Sequence, residues 1–297
     1  MYHMVHLGMT TSQARERLLA AAVDQAMRGG IADLSLRELA AAIGTSHRML
    51  LYHFGSREGL LTAVARAVEE AQLAAVSEQG ITSGTARRLW QHFSDPQLWP
   101  AERLFFELYA HALLGRPGTE GFLEHAIEPW VTAITPAIAA EAGLDDRTAR
   151  AEARLAVAVT RGLLLDLLAT GDRVAATEAF ERYLHHAGPD DARRFWARYS
   201  DPGLWPQERL FFELYVHALR GRPGTEGFLD NAIEPWITAI TPAIAREAGL
   251  DDKTARAEAR LAVAVTRGLL LDLLATGDRD AVTEAFDRYL VRGAAGP

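Results

Sequence analysis

Cysteine is absent from the 297-residue sequence. The chain therefore has no disulfide bond, no thiolate nucleophile and no cysteine-based zinc site. The short motifs of zinc-dependent hydrolysis, of the serine nucleophile elbow and of phosphate-binding glycine loops are also absent. The sequence predicts a protein that is not an enzyme and that carries neither a metal nor a cofactor.

A long apolar run is missing as well. The most apolar stretch, Leu155 to Leu168, is interrupted by Arg161 and Asp166, and it falls short of the ~18 to 20 residues that a membrane-spanning helix needs. Residues 1–8 have neither the basic start nor the apolar block of a signal peptide. We therefore expect no membrane partner and a cytoplasmic location.

Positive charge is scarce. Lysine and arginine total 31 against 39 aspartates and glutamates, which gives a formal net charge of −8. Hydrophobic residues make up 49% of the chain, as is usual for globular proteins with packed cores. This length favours two or three domains, and any contact with nucleic acid must come from one locally placed face.

The dominant feature of the sequence is a repeat. Ala86 to Leu184 recurs as Ala192 to Leu290, at a constant shift of 106 residues, with about 16 mismatches over roughly 99 aligned positions. Two units of this length favour a duplicated domain over a solenoid. We predict a first module at residues 79–188 and a second module at residues 189–297.

Each module is predicted to be all-α, because no period-two alternation is long enough for a strand. In the first module the predicted helices are 86–93, 100–114, 119–142, 145–170 and 174–185. Pro129 and Pro136 fall within the third of these, and each removes a backbone donor, so that helix should be kinked or broken. The segment HHAGPDD, residues 185–191, is the predicted linker between the modules.

Residues 12–78, which precede the repeat, are predicted to form four helices. Ser35 and Glu38 make a capping-box sequence, S-x-x-E, at the start of the second helix. Gly44 follows that helix and can supply the turn residue. These signals predict a short helix that ends in a tight turn.

Ser46 is the predicted N-cap of a third helix, His47 to Phe54. Leu50 and Phe54 lie four residues apart and should point inward. The outward side then carries His47, Arg48, Met49 and Tyr52. Two short helices joined by a glycine turn form the helix-turn-helix arrangement, whose second helix enters the major groove of DNA. A solvated helical hairpin would carry a similar polar face, so that alternative stays open.

The segment SLRELAAAIGTSHRMLLYHFGSREGLL, from Ser35 to Leu61, resembles the DNA-binding head of the tetracycline-repressor (TetR) family. In that family a similar string ends in a His-Phe pair, a short turn, a basic residue and a leucine. The run GLLLDLLATGD resembles the family's penultimate, dimer-forming helix. The chain is thus similar to a family member whose ligand domain is duplicated, with residues 1–78 as the DNA-binding domain and its connecting helix.

The resemblance implies a set of DNA-contacting residues. The set is Ser35, then Ser46, His47, Arg48 and Met49 nearest the base edges, and Tyr52, His53 and Arg57 near phosphates. Arg57 stands where the family usually has lysine, and Leu51 where it commonly has a phosphate-contacting tyrosine. Residues 1–78 hold 7 arginines against 8 acidic residues, so the nonspecific attraction to DNA should be weak.

Aromatic residues are the candidates for a ligand pocket. They are Trp99, Phe105, Phe106, Tyr109, Phe122 and Trp130 in the first module and Trp205, Phe211, Phe212, Tyr215, Phe228 and Trp236 in the second. Each could equally fill the core, as aromatics mostly do. The pocket hypothesis depends on the resemblance and on the two prolines, since a kinked helix leaves a gap that a ligand can fill. Trp130 is the preferred pocket residue, and the expected ligand is small and apolar or aromatic.

Four charged residues interrupt otherwise apolar helices: Arg161 and Asp166 in the first module and Arg267 and Asp272 in the second. They could pair across a helix interface or orient a ligand. Pairing is the favoured interpretation, because charges are rarely buried without a partner.

Two functions remain compatible with the sequence. The first is a ligand-responsive transcriptional regulator, a repressor that a small molecule releases from a double-stranded DNA operator. The resemblance implies a homodimer here, because two heads about 34 to 36 Å apart read two half-sites. The alternative is an intramolecular pseudo-dimer, formed if residues 149–170 pack against 255–276, that sequesters a small apolar compound with little DNA binding.

Overall fold

A computed structural model describes residues 11–29, 31, 34–79, 85–184, 196–198 and 200–291. Within these ranges the regular elements are all helical, which confirms the all-α prediction. The helices before the second module are α1 (Thr11–Gly29), α2 (Leu36–Ala42), α3 (His47–Phe54), α4 (Arg57–Gln79), α5 (Thr85–Phe93), α6 (Trp99–Leu113), α7 (Phe122–Ala126), α8 (Glu128–Ala142), α9 (Asp146–Thr170) and α10 (Arg173–Leu184). Those of the second module are α11 (Trp205–Leu219), α12 (Phe228–Ala232), α13 (Glu234–Ala248), α14 (Asp252–Thr276) and α15 (Arg279–Val291).

The proline-containing segment is broken, as predicted. Helix α7 ends at Ala126 and α8 begins at Glu128, with Pro129 in the first turn of α8. Proline is tolerated there because the first amides of a helix have no intrahelical partner. Pro136 remains inside α8. The predicted linker, residues 185–191, lies outside the described residues.

The two longest helices of the repeat, α9 and α14, cross each other at a pair of glycines. A Cβ atom built on Gly162 would lie 1.9 Å from the carbonyl oxygen of Ala264, and one built on Gly268 would lie 1.8 Å from that of Ala158. Only glycine permits so close a backbone approach. The crossing buries leucines on both sides of each glycine.

Contacts across this crossing are reciprocal at the repeat shift. The Tyr109 hydroxyl donates to the carbonyl of Leu271 at 2.9 Å, and the Tyr215 hydroxyl donates to that of Leu165 at 2.9 Å. In the same way α10 packs on α14 while α15 packs on α9. Equivalent residues of the two modules therefore make the same contacts in both directions across this interface.

Helices α1 and α4 pack on the first module, α1 against α6 and α4 against α6, α7 and α8. The Thr62 hydroxyl donates to the carbonyl of Gly118 at 2.7 Å, and the Arg66 guanidinium donates to that of Gly121 at 2.9 Å. Gly118 lies so close to α4 that a Cβ on it would be 2.7 Å from the Cβ of Glu58. The loop of residues 118–121 thus holds α4 in place against the first module.

Of the helices that the structure describes, none combines the length and the apolar character that crossing a membrane requires.

Candidate DNA-contacting surface and internal cavity

The turn between α2 and α3 is built from local caps. The Ser35 side chain accepts from the Glu38 amide at 3.3 Å while the Ser35 amide donates to the Glu38 carboxylate at 2.8 Å. Hydrogen bonding of the Glu38 carboxylate to the Ser35 side chain and to the Ser35 amide lowers the pKa of Glu38, and the reciprocal pair of bonds confirms the predicted capping box. Gly44 has φ of 71°, a left-handed conformation that lets the chain turn directly after α2.

Helix α3 is held by its N-cap and by one buried leucine. The Ser46 side chain accepts from the Met49 amide at 3.2 Å, as predicted. Leu50 is completely buried and anchors the inner face of α3. Gly55, with φ of 74°, ends the helix and leads directly into α4.

The outer face of α3 is exposed. Tyr52 has 69% of its surface accessible, and Met49 and Leu51 are also exposed, as is Arg48. His47 is partly exposed. These positions are compatible with entry of α3 into a groove, and the contact of each side chain with DNA remains a prediction.

Two of the predicted phosphate-contacting side chains have internal contacts. The Nε atom of Arg57 donates to the carbonyl of Leu34 at 2.8 Å, which ties the start of α4 to the segment before α2. His53 is half-buried, with its ring in edge contact with those of Tyr52 and Phe54. Both residues therefore also stabilise the head.

A cavity of about 320 Å³ lies between α4 and the first module. Its lining comes from α4, α5, α6, α8, α9 and α10. The predicted pocket residues Phe105, Phe106 and Trp130 are in its wall. Such a volume is at the lower end of the range for small-molecule sites.

Sequence reasoning missed part of the aromatic wall. Trp90 and Phe93 of α5 and Phe180 of α10 also line the cavity, with the Trp90 and Phe180 rings stacked at 5.1 Å. The strongly amphipathic pattern of residues 85–93 was the available signal, since a one-sided helix must bury that side.

The other aromatic candidates of the first module lie outside the wall of this cavity. Tyr109 is buried at the crossing of α9 and α14. Phe122 is packed against Phe105 and Tyr109, and Trp99 is partly buried beneath the Arg103 guanidinium. These three positions are better explained by packing than by ligand contact.

The second module presents the same aromatics in different surroundings. Phe212 and Tyr215 are buried, Trp205, Phe211 and Phe228 are partly buried, and Trp236 is exposed. Trp236 is 44% exposed whereas its counterpart Trp130 is 8% exposed, and Leu210 is 52% exposed whereas Leu104 is 2% exposed. In the first module α1 and α4 cover this face.

One end of the cavity is polar. Glu69 of α4 accepts from the Trp130 indole at 2.7 Å and lies 3.5 Å from the Arg161 guanidinium. Glu102 of α6 is 5% exposed and is hydrogen-bonded by Gln72. Burial, aided by the neighbouring Glu69 carboxylate, raises the pKa of Glu102 to about 8, because a low-polarity site disfavours the charged form.

The buried charges pair differently from what the sequence indicated. Asp272 accepts from Arg154 at 2.6 Å, and Asp166 accepts from Arg260 at 2.6 Å, both across the α9–α14 interface. Asp166 and Asp272 thus form ion pairs across a helix interface, which is the interpretation favoured by the sequence. Their partners, however, are not Arg161 and Arg267. Arg161 instead donates to the carbonyl of Ala126, and its guanidinium lies 4.6 Å from the centre of the Phe105 ring.

No group of three or more histidines, aspartates and glutamates in the described ranges is arranged to hold a metal ion.

Residues 18–64 match the family model described as bacterial regulatory proteins, tetR family. The match extends from α1 through the helix-turn-helix into the first turns of α4. No curated protein and no solved structure matched the chain. The matched range contains α2 and α3, and the match supports a transcriptional regulator with an N-terminal DNA-binding domain.

Proposed function

We propose, from the premise that residues 18–64 form a tetR-type DNA-binding domain, that the chain is a ligand-responsive repressor. A small molecule in the cavity releases it from a double-stranded DNA operator. The proposal is supported above all by α4, which begins at Arg57 beside α3 and carries Glu69 and Gln72 in the cavity wall. Such a regulator acts on the chromosome, so its proposed location is the cytoplasm.

Helix α4 can transmit a signal because it is one continuous element. At 1.5 Å per residue its 23 residues span about 34 Å. Its seat on the first module is defined by the bonds from Thr62 and Arg66 to the 118–121 loop. A ligand that binds more tightly to one position of α4 than to another shifts the head, and a coupling of about 1 to 3 kcal/mol is typical.

We further propose that the modules pair within the chain as a pseudo-dimer. Support comes from the reciprocal tyrosine bonds and the reciprocal arginine–aspartate pairs across α9 and α14. The helices that resemble the family's dimer-forming helix, α9 and α14, then pack against each other and are not available to a second chain. Such a monomer carries a single head and reads one half-site, because a second head requires a second chain.

The test is selection of a random DNA library on the full chain, with light scattering of the free protein and of the complex. We expect a free mass near 32.5 kDa and enrichment of one short, non-palindromic sequence. If no DNA sequence is enriched, the proposal that the chain is a transcriptional regulator is refuted. A free mass of twice that value would refute the single-headed monomer and indicate a dimer formed through another surface or through the second module.

Arg48→Ala is expected to weaken the selected complex by about 1 to 3 kcal/mol, roughly 5- to 150-fold in Kd, as for loss of a base contact. Val174→Ala, at an exposed site on α10, is the control and should leave the affinity unchanged. Fluorescence anisotropy with the selected DNA measures both. Equal affinities for the two variants would remove Arg48 from the contact surface.

A further inference from the structure

The polar end of the cavity carries more acidic than basic side chains. Two carboxylates, Glu69 and Glu102, and one guanidinium, Arg161, line this end. Glu69 already receives the Trp130 indole and lies beside Arg161. Glu102, almost completely buried, has the Gln72 amide as its hydrogen-bond donor.

A second observation points to a ligand at the same place. The Gln72 Oε1 atom is buried and has no hydrogen-bond partner in the part of the chain that the structure describes. A buried acceptor without a donor is costly, on the order of 1 to 3 kcal/mol. A ligand that donates an N–H group there satisfies this atom and faces the Glu102 carboxyl at once.

We infer that the cavity takes a small organic cation, with a primary or secondary ammonium group at Glu102 and Gln72 and an apolar or aromatic body among Trp90, Phe93 and Trp130. The inference rests on the proposed function in one respect, since it takes the cavity as the ligand site. Aromatic walls suit a cation because ring faces attract positive charge.

An anionic ligand fits the site less well. The Nη1 atom of Arg161 is buried and lacks a hydrogen-bond partner among the described residues, so it is the one group that could attract an anion. Its guanidinium already bonds the Ala126 carbonyl, lies beside Glu69 and covers the Phe105 ring. An anion next to it would meet the repulsion of the Glu69 carboxylate, which already lies beside Arg161.

Binding of a cation should depend on pH through Glu102. The charged groups that act on Glu102 are Glu69 on α4 and Arg161 on α9, and Glu141 lies in the lining as an exposed carboxylate. Because the pKa of Glu102 is about 8, the empty site is mostly protonated at pH 6. An ammonium group favours the ionised carboxylate, so its binding releases a proton and strengthens as pH rises toward 8.

The experiment is calorimetric titration of the full chain, without DNA, with three probes of matched shape. They are 4-phenylbutylamine, 4-phenyl-1-butanol and 4-phenylbutanoate. The amine stays protonated throughout because alkylamines titrate near pH ~10. At pH 8 we expect the amine to bind on the order of tenfold tighter than the alcohol, and its affinity to rise on the order of tenfold between pH 6 and pH 8. The alcohol should show no such rise.

Glu102→Gln is expected to lower the affinity for the amine on the order of tenfold and to abolish the pH dependence of that affinity. The affinity for the alcohol should stay unchanged, which would show that the cavity is intact. Glu208→Gln is the matched control, because Glu208 is the same position of the repeat without α4 beside it. It should leave all three affinities unchanged.

The inference is overturned if the carboxylate binds tightest, if amine and alcohol bind equally, if Glu102→Gln has no effect on the amine, or if none of the probes binds. These titrations contain no DNA. If the chain binds the amine but selects no DNA, the proposed repressor function is refuted and the inferred cationic ligand stands. If the chain selects DNA but prefers the carboxylate, the cationic ligand is refuted and the proposed repressor function stands.

Discussion

Arg154→Leu is expected to lower the free energy of unfolding by about 3 to 5 kcal/mol, because it leaves Asp272 as an uncompensated buried carboxylate. Arg154 is 3% exposed and Asp272 is 1% exposed. Urea unfolding followed by circular dichroism measures the loss. Burial already raises the pKa of Asp272 to about 6, and loss of the Arg154 charge raises it further. The loss should therefore shrink at pH 5, because the unpaired carboxyl takes up a proton more readily than the paired one.

Arg150→Leu is the control for this prediction. Arg150 lies one turn earlier on α9 and, like Arg154, pairs with Glu128, but 45% of its side chain is exposed. Exposed ion pairs contribute about 0 to 1 kcal/mol. The double variant Arg154→Leu/Asp272→Leu should recover most of the lost stability, because removing both partners leaves no unpaired charge. A loss below about 1 kcal/mol in the single variant would contradict the assigned role.

Gly268→Ala is expected to lower the free energy of unfolding by about 3 kcal/mol, which is at the upper end of the losses seen for overpacked cores. The added methyl group would lie 1.8 Å from the Ala158 carbonyl oxygen, a distance at which α9 and α14 must move apart. Because both helices belong to one chain, the thermal midpoint of the native protein should not depend on protein concentration. Differential scanning calorimetry at two concentrations checks both statements.

Gly203→Gln is the matched control for Gly268→Ala. The first module carries Gln97 at the corresponding position of the repeat, and Gly203 is exposed. This larger side chain should change stability by less than about 0.5 kcal/mol. If Gly268→Ala were equally mild, the close approach of α9 and α14 would not be important for the fold.

The caps of the head could be predicted because their causes are local. Ser35 and Glu38 satisfy each other's amides within one turn, and Ser46 does the same for Met49. The break before Pro129 is local too, since proline has no amide hydrogen to donate and its ring crowds the carbonyl four residues earlier. Features of this kind require no knowledge of which helices meet.

The buried ion pairs depend on helix register, which the sequence does not state. Arg154 and Arg161 are seven residues apart and therefore lie on similar faces of α9. Which of them meets Asp272 depends on where α9 crosses α14, and the Gly162–Ala264 contact sets that point. Arg154 falls at the interface, and Arg161 falls at the cavity.

Half of the aromatic candidates in the first module line the cavity, and the reason is again tertiary. Trp90 lines it because α5 and α10 stack two rings side by side. Leu104 and Leu210 occupy identical stretches, ERLFFELY, and yet one is buried and the other exposed. What distinguishes them is that α1 and α4 cover this face in the first module.

The crossing of α9 and α14 has a consequence for specificity inside the cell. Separate subunits with similar pairing helices can exchange and form mixed assemblies. Here the two pairing helices, α9 and α14, belong to the same polypeptide, so each is present at a high local concentration around the other. If the modules pair as proposed, the chain should therefore be insulated from hybrid assembly with related proteins at any level of expression.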